Sequence, residues 1–144
     1  MTRVKLVFPD KPRLWEFHGR VEIGDVNYGG HMGNEVILRK AHEARFQMLN
    51  AWGWTEEDIG GTGLILTEAW IQYKSEGFWG DDITGEIFPG EIHSRGFELL
   101  YRFRTGEDGR RELAWLRTSM LCFDYRLRKV TLMPEAMKFR LSGG

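Results

Sequence analysis

The run Asp25-Val26-Asn27-Tyr28-Gly29-Gly30-His31-Met32-Gly33-Asn34 sets one acid, two amides and an imidazole among glycines immediately before a segment with helical periodicity. A helix start offers backbone N–H groups without intrahelical acceptors and a partial positive charge, so it can receive the oxyanion that forms when a carbonyl is attacked. Gly29, Gly30 and Gly33 allow close approach to that backbone, and the segment through Gly30, Met32, Gly33 and Asn34 would supply the donors. Attack by water also needs a group that takes a proton or orients the molecule. The candidates are Asp25, Asn27 and His31 from the loop and Glu43 from the helix behind it.

Each of these residues also has a plain structural reading. Asp25 and Asn27 suit an Asx turn at a strand end, His31 a polar helix start, and Glu43 with Arg45 a solvated pair. Against the last, the neighbours Ala41, Ala44 and Phe46 suggest an enclosed helix. Taken together in one loop–helix unit, the chemical reading outweighs the separate structural ones. Elsewhere, Glu56, Glu57 and Asp58 read as an exposed acidic turn, and His18, His42 and His93 as structural or solvated. Cys122, between Leu121 and Phe123 with no base nearby, reads as core rather than nucleophile.

The elements that position these groups follow from periodicity. Trp15, Phe17, Gly19, Val21 and Ile23 alternate with polar residues, as in a half-buried strand, and Gly24 to Asn34, with four glycines, form the loop. Over residues 35–52, Ile37, Ala41, Ala44, Met48 and Trp52 recur every three or four positions, joined by Val36, Leu38, Phe46 and Leu49. That broad stripe predicts a helix mostly wrapped by protein, with Asn34 as its N-cap. Strands follow at 64–73, 83–88, 97–105 and 112–125, the last two joined through the turn Gly106-Glu107-Asp108-Gly109, and Met133-Pro134-Glu135 opens a short helix ending near Leu141. One strand, one long helix and then strands in series predict an α+β chain, an antiparallel sheet packed on a helix, in one domain over residues 1–144.

Composition bounds the partners. A formal net charge of −1 provides no field for nucleic acid or anionic lipid. One cysteine cannot form an internal disulfide, no Cys/His spacing suggests a metal site, and the N-terminal apolar run is short for an export signal or membrane span. The expectation is a cytoplasmic protein without a metal. An aromatic content of 13% implies rings in the core, a ligand slot or a subunit interface.

The loop, followed by Glu43-Ala44-Arg45, resembles the signature of 4-hydroxybenzoyl-CoA thioesterase-like proteins, in which an acidic loop closes on Gly-His, then Asn, and opens the central helix. The stretch Cys122-Phe123-Asp124-Tyr125, with Lys129-Val130 and Met133-Pro134-Glu135, is similar to the ending of those chains, so the resemblance spans nearly the whole sequence. It implies a hotdog fold, an antiparallel sheet wrapped around one long central helix. It also implies hydrolysis of an acyl-CoA thioester to free acid and coenzyme A, with coenzyme A entering only as part of the substrate. The expected assembly is a homodimer or homotetramer with sites between subunits, in which Arg126, Arg128 and Lys129 could contact coenzyme A phosphates or form an ordinary charged turn.

One position departs from the pattern. Aligned backwards from Gly30-His31, the family's usual catalytic Asp falls at Asn27, and an amide cannot take a proton at neutral pH. The base is then Asp25 or Glu43, and the sequence leaves that choice open. Gly24-Asp25-Val26-Asn27 also resembles the start of hotdog enoyl-CoA hydratases, but those place Pro after the Asn and His five residues after the Asp. Here Tyr28 follows and His31 lies six residues on. Asn27 also motivates a third reading, a non-catalytic module that binds acyl-CoA or acyl-carrier thioesters. Acyl-chain depth would depend on rings such as Phe46, Trp52, Trp70 and Trp79.

Overall fold

The computed structural model describes residues 5–144. Strand β1 (Trp15–Arg20) is followed by a 3-10 turn (Ile23–Asp25), helix α1 (Val36–Ala51), strands β2 (Gly63–Tyr73), β3 (Asp82–Ile92), β4 (Gly96–Thr105) and β5 (Arg111–Asp124), a short β6 (Lys129–Val130), and helix α2 (Glu135–Leu141). The strands form one antiparallel sheet in the order β1-β3-β4-β5-β2, with β6 added on β5. One face of the sheet carries α1, as a hotdog fold requires. Val36, Ile37, Ala41, Ala44, Met48 and Leu49 of α1 are buried with Phe17, Ile83, Ile87, Leu99, Tyr101, Phe103, Ala114, Leu116 and Met120 from the strands. Each such aliphatic side chain contributes roughly 1.5–3 kcal/mol through its burial.

Several expectations shift. The first strand ends at Arg20 rather than Ile23, because Ile23 and Asp25 enter the 3-10 turn. Strand β3 runs on through Pro89, which lies beyond Ile87, the last partner on β1. There the strand has a neighbour on one side only and tolerates a residue without an N–H. Helix α1 is less enclosed than its stripe suggests, since His42, Glu43 and Phe46 are exposed in the protomer. Glu56 is half-buried rather than part of an exposed turn, because it receives Arg45 Nε, and Arg45 Nη1 also donates to Tyr101 Oη at 3.1 Å. Arg45 is thus a core residue paired across the fold, not a solvated partner of Glu43.

Cys122 is wholly buried and its thiol is pushed up to about 11 by that burial, which suits a packing residue and not a nucleophile. Strand β2 forms one edge of the sheet, and its Leu66 and Tyr73 are respectively 44% and 50% exposed. No helix among the described residues is long and apolar enough to cross a membrane.

Candidate active site

The loop expected to hold the chemistry is built from its own hydrogen bonds. Asn27 N–H donates to His31 O at 3.0 Å, Gly30 N–H to Asn27 O at 3.1 Å, and Gly29 N–H to Asn27 Oδ1 at 2.9 Å. Asn27 therefore makes the Asx turn its sequence context allowed. Gly30 sits at φ +80, where a side chain would be strained, and a Cβ on Gly29 would stand 3.0 Å from His31 Nε2. Gly29 thus makes room for the His31 ring, and Gly30 allows the turn before it.

Helix α1 begins one residue later than expected. Asn34 is not its N-cap. Gly33 O accepts the Val36 N–H at 3.1 Å, Glu35 precedes the first helical residue without a side-chain capping bond, and Asn34 O accepts the Tyr73 hydroxyl at 2.7 Å. The backbone N–H groups of Asn34 and Glu35 find no acceptor among the described residues. They are open donors at the positive end of a 16-residue helix.

A second segment closes the site from across the sheet. The β2–β3 loop is tied to the first loop by Met32 N–H to Gly77 O at 2.7 Å and Gly80 N–H to Val21 O at 2.9 Å. Arg111 Nη1 holds it from behind, donating to Ser75 Oγ at 2.9 Å and Glu76 O at 2.6 Å. Between the two segments lies a groove of about 210 Å³, lined by His31, Met32, Gly33, Asn34 and Ile37 on one side and Tyr73, Ser75, Glu76 and Gly77 on the other. The second set was not expected from sequence. Its only local signal was a polar, glycine-containing stretch after a strand, and nothing local says that this stretch meets the helix start.

The two expected carboxylates lie elsewhere. Asp25 and Glu43 line a larger cavity of about 450 Å³ between α1 and β1, with Phe17, His18, Arg20, Arg39, Lys40 and Gln47. Asp25 is 6% exposed, lies 3.0 Å from Lys40 Nζ and 3.6 Å from Arg39 Nη2, and accepts the Glu22 N–H at 2.9 Å. Burial alone would raise its carboxyl, but the Glu22 N–H, Lys40 and Arg39 outweigh that and hold it below the ordinary carboxylate value. Its backbone carbonyl accepts the Gly33 N–H at 3.0 Å, so Asp25 also pins the loop. Glu43 is exposed and accepts the Gln47 amide at 3.1 Å.

Other expected residues are dispersed. Arg126 and Arg128 occupy the β5–β6 turn and Lys129 opens β6, beside the Gly63 end of β2, whereas the groove lies at its Tyr73 end. Ten residues of strand separate the two, roughly 33 Å. Phe46 and Trp79 are exposed, Trp52 stacks edge-on against Trp54, and Trp70 lies near Arg117, so none of these rings lines the groove.

The model of the thioesterase-like superfamily matches residues 21–141. The chain belongs to that superfamily. Among solved structures, this superfamily member is similar to a 1,4-dihydroxy-2-naphthoyl-CoA thioesterase from Synechocystis at 20% identity, with 88% of this chain and 94% of that chain covered and a TM-score of 0.79. It is also similar to a proposed thioesterase from Pseudomonas aeruginosa, at 19% identity, 89% and 98% coverage and a TM-score of 0.81. A Staphylococcus aureus protein solved in complex with CoA gives 16% identity, 90% and 82% coverage and a TM-score of 0.80. These likenesses establish the fold. No curated protein sequence matches the chain.

Proposed function

We propose that this superfamily member hydrolyses acyl-CoA thioesters to the free acid and coenzyme A. The observation that carries the reading is the uncapped start of α1, where the Asn34 and Glu35 N–H groups have no acceptor among the described residues, beside a groove lined by Asn34 and His31. A thioester carbonyl placed there gains charge-stabilising donors as it becomes tetrahedral, and preorganised donors of this kind are worth about 10²–10³ in rate each. Met32 and Gly33 shape the floor, and Asp25 and Asn27 hold the loop that presents His31. Coenzyme A is needed only as part of the substrate. The CoA complex of the Staphylococcus aureus relative supports a ligand of that class.

The protein acts as a homo-oligomer in this proposal. Among the described residues β2 has a strand neighbour on one side only, and along that edge Leu66 and Tyr73 are half exposed, Tyr73 also lining the groove. Two such edges paired antiparallel would bring the partner's basic turn to this protomer's groove, where one protomer's Arg126, Arg128 and Lys129 cannot reach their own. Light scattering that returns a monomer at micromolar concentration defeats this arrangement.

The activity test is thiol release. Saturated acyl-CoAs of several lengths, with an aromatic one among them, should liberate free coenzyme A. Hydration of an unsaturated acyl-CoA without thiol release would establish a hydratase instead, and saturable binding without either reaction would establish a binding module.

A further inference from the structure

Hydrolysis in this groove lacks a base at the position where one was expected, because residue 27 is an amide whose Oδ1 is engaged with the Gly29 N–H. Asp25 is committed to Lys40, Arg39 and the Glu22 N–H, and Glu43 lines the other cavity. Glu76 is the carboxylate that lines the groove itself. We propose that His31 and Glu76 together form the water-activating pair of this site, in place of the carboxylate missing at position 27. The inference rests on the hydrolase reading above and names the groups that would carry it out.

The geometry supports a shared water. His31 Nε2 lies 3.9 Å from Glu76 Oε1, too far for a direct hydrogen bond. One water about 2.8 Å from both atoms would see them at an angle of roughly 90°, close to the span of its two O–H bonds. His31 Nδ1 lies 3.4 Å from Met32 O, which favours a proton on Nδ1 and leaves Nε2 as the acceptor. On the other side, Glu76 is fixed through its own backbone. Arg111 holds its carbonyl, and Gly77 packs so closely that an added Cβ would stand 3.3 Å from Val21 Cγ2. The carboxylate is carried on a seated segment and not on a free loop.

The step balances without any further reactant. The bridged water oxygen attacks the thioester carbon as one of its protons moves to His31 Nε2, and the second O–H remains directed at the Glu76 carboxylate. The carbonyl π electrons become the oxyanion held by the Asn34 and Glu35 N–H groups. When that intermediate collapses, the C–S bond breaks and the Nε2 proton passes to the departing sulfur. The products are one carboxylic acid and one thiol, with the imidazole restored.

A plain surface contact predicts otherwise. His31 and Glu76 side chains are 32% and 61% exposed, and an exposed pair of that kind contributes little to stability and nothing to turnover. The competing carboxylate is Glu35, which lies against Gly33: an added Cβ there would stand 2.7 Å from Glu35 Oε2. Its substitution belongs in the same experiment.

The test measures hydrolysis of acyl-CoA and of the small activated thioester S-phenyl thioacetate by wild type, Glu76→Gln, His31→Gln, the double variant and Glu35→Gln, with folding followed by circular dichroism. Glu76→Gln and His31→Gln should each lower kcat by about 10²–10⁴-fold on both substrates, and the double variant should be no worse than the weaker single one, because the two act as a unit. A further variant, Glu76→Ala, should regain part of its activity in formate, an effect that a merely structural role cannot produce. A loss of only a few-fold in folded Glu76→Gln, or a loss in Glu35→Gln as large as in Glu76→Gln, overturns the pair. Cleavage of the phenyl thioester but not of acyl-CoA would sink the acyl-CoA reading while the variants still decide the pair. If wild type cleaves neither substrate, both fall.

Discussion

Two cavities flank the first turns of α1, and they differ in the property that matters for chemistry. The larger one, against β1, is rich in charge, yet its carboxylate Asp25 is matched by two cations and a backbone N–H. The smaller one, against the end of β2, holds fewer charges but keeps backbone donors without acceptors among the described residues, and places His31 Nε2 3.9 Å from Glu76 Oε1. Volume and charge density thus point to one cavity and unsatisfied hydrogen bonding to the other. A satisfied ion pair has little left to give a substrate, whereas an open donor gains most where new negative charge develops.

The comparison is broken most directly by removing a donor from the smaller cavity. Glu35 has φ −71, which suits proline, and its N–H has no acceptor among the described residues. Glu35→Pro should therefore fold and lower kcat by about 10²–10³-fold in the thiol-release assay. A variant that keeps more than a third of wild-type turnover would remove that N–H from the oxyanion site.

In the larger cavity the expected loss is of stability. Asp25→Asn leaves Lys40, 15% exposed, without its ion partner and should cost about 1–3 kcal/mol, read as a lower urea midpoint at unchanged slope. Turnover per folded molecule should fall by less than about fivefold, far below the loss expected of a general base. The pH dependence has a definite sign. The Asp25 carboxyl is held low in the folded protein, so its contribution is complete above the unfolded value, about 4, and is lost as pH falls through the folded value. The gap between wild type and Asp25→Asn should hold from pH 8 to about pH 5 and close only in more acidic solution. A gap that instead widened in acid would refute the ion-pair account.

Tyr73→Phe tests the seam between β2 and the helix start. Losing the bond to Asn34 O should cost about 0.5–1.5 kcal/mol and lower kcat/KM by roughly three- to tenfold as the groove wall loosens. The smallest effect belongs to Glu43→Gln, whose side chain is exposed and bonded to Gln47. Both the urea midpoint and kcat should stay within about threefold or 0.5 kcal/mol of wild type. A hundredfold loss there would return the base to the helix.

What was legible in the sequence was local. The loop before α1, the 3.6-residue stripe and the β4–β5 hairpin each announce themselves within a few neighbouring residues, and each is present in the structure. What was not legible depends on contacts between distant segments. Asp25 looked like a base because Lys40 lies fifteen positions on, and its arrival beside the carboxylate follows from how α1 leaves the loop. Glu76 was not singled out in the sequence because forty-five positions separate it from His31, and only the antiparallel return of the chain after β2 brings them together. Glu56 was read as part of an exposed acidic turn for the same reason, since its partner Arg45 lies eleven positions away. Pattern reports which face of an element is apolar, but not which polar groups the packed faces will carry to one place.

The residue that opens α1 has a further consequence, for how the protein can change. Gly33 accepts the Val36 N–H with its carbonyl but has no side chain to bond the other free donors, and its φ is not in the left-handed region. Serine, aspartate or asparagine there, with the Glu35 carboxylate moved aside from the added Cβ, would offer them a side-chain acceptor, for a gain of a few tenths of a kcal/mol. Selection for thermostability alone, with no substrate present, would find such replacements within one or two mutations, and each would fill the donors the groove keeps open. Stabilised lineages of this fold should therefore divide into those that retain glycine at this position and those that have lost turnover.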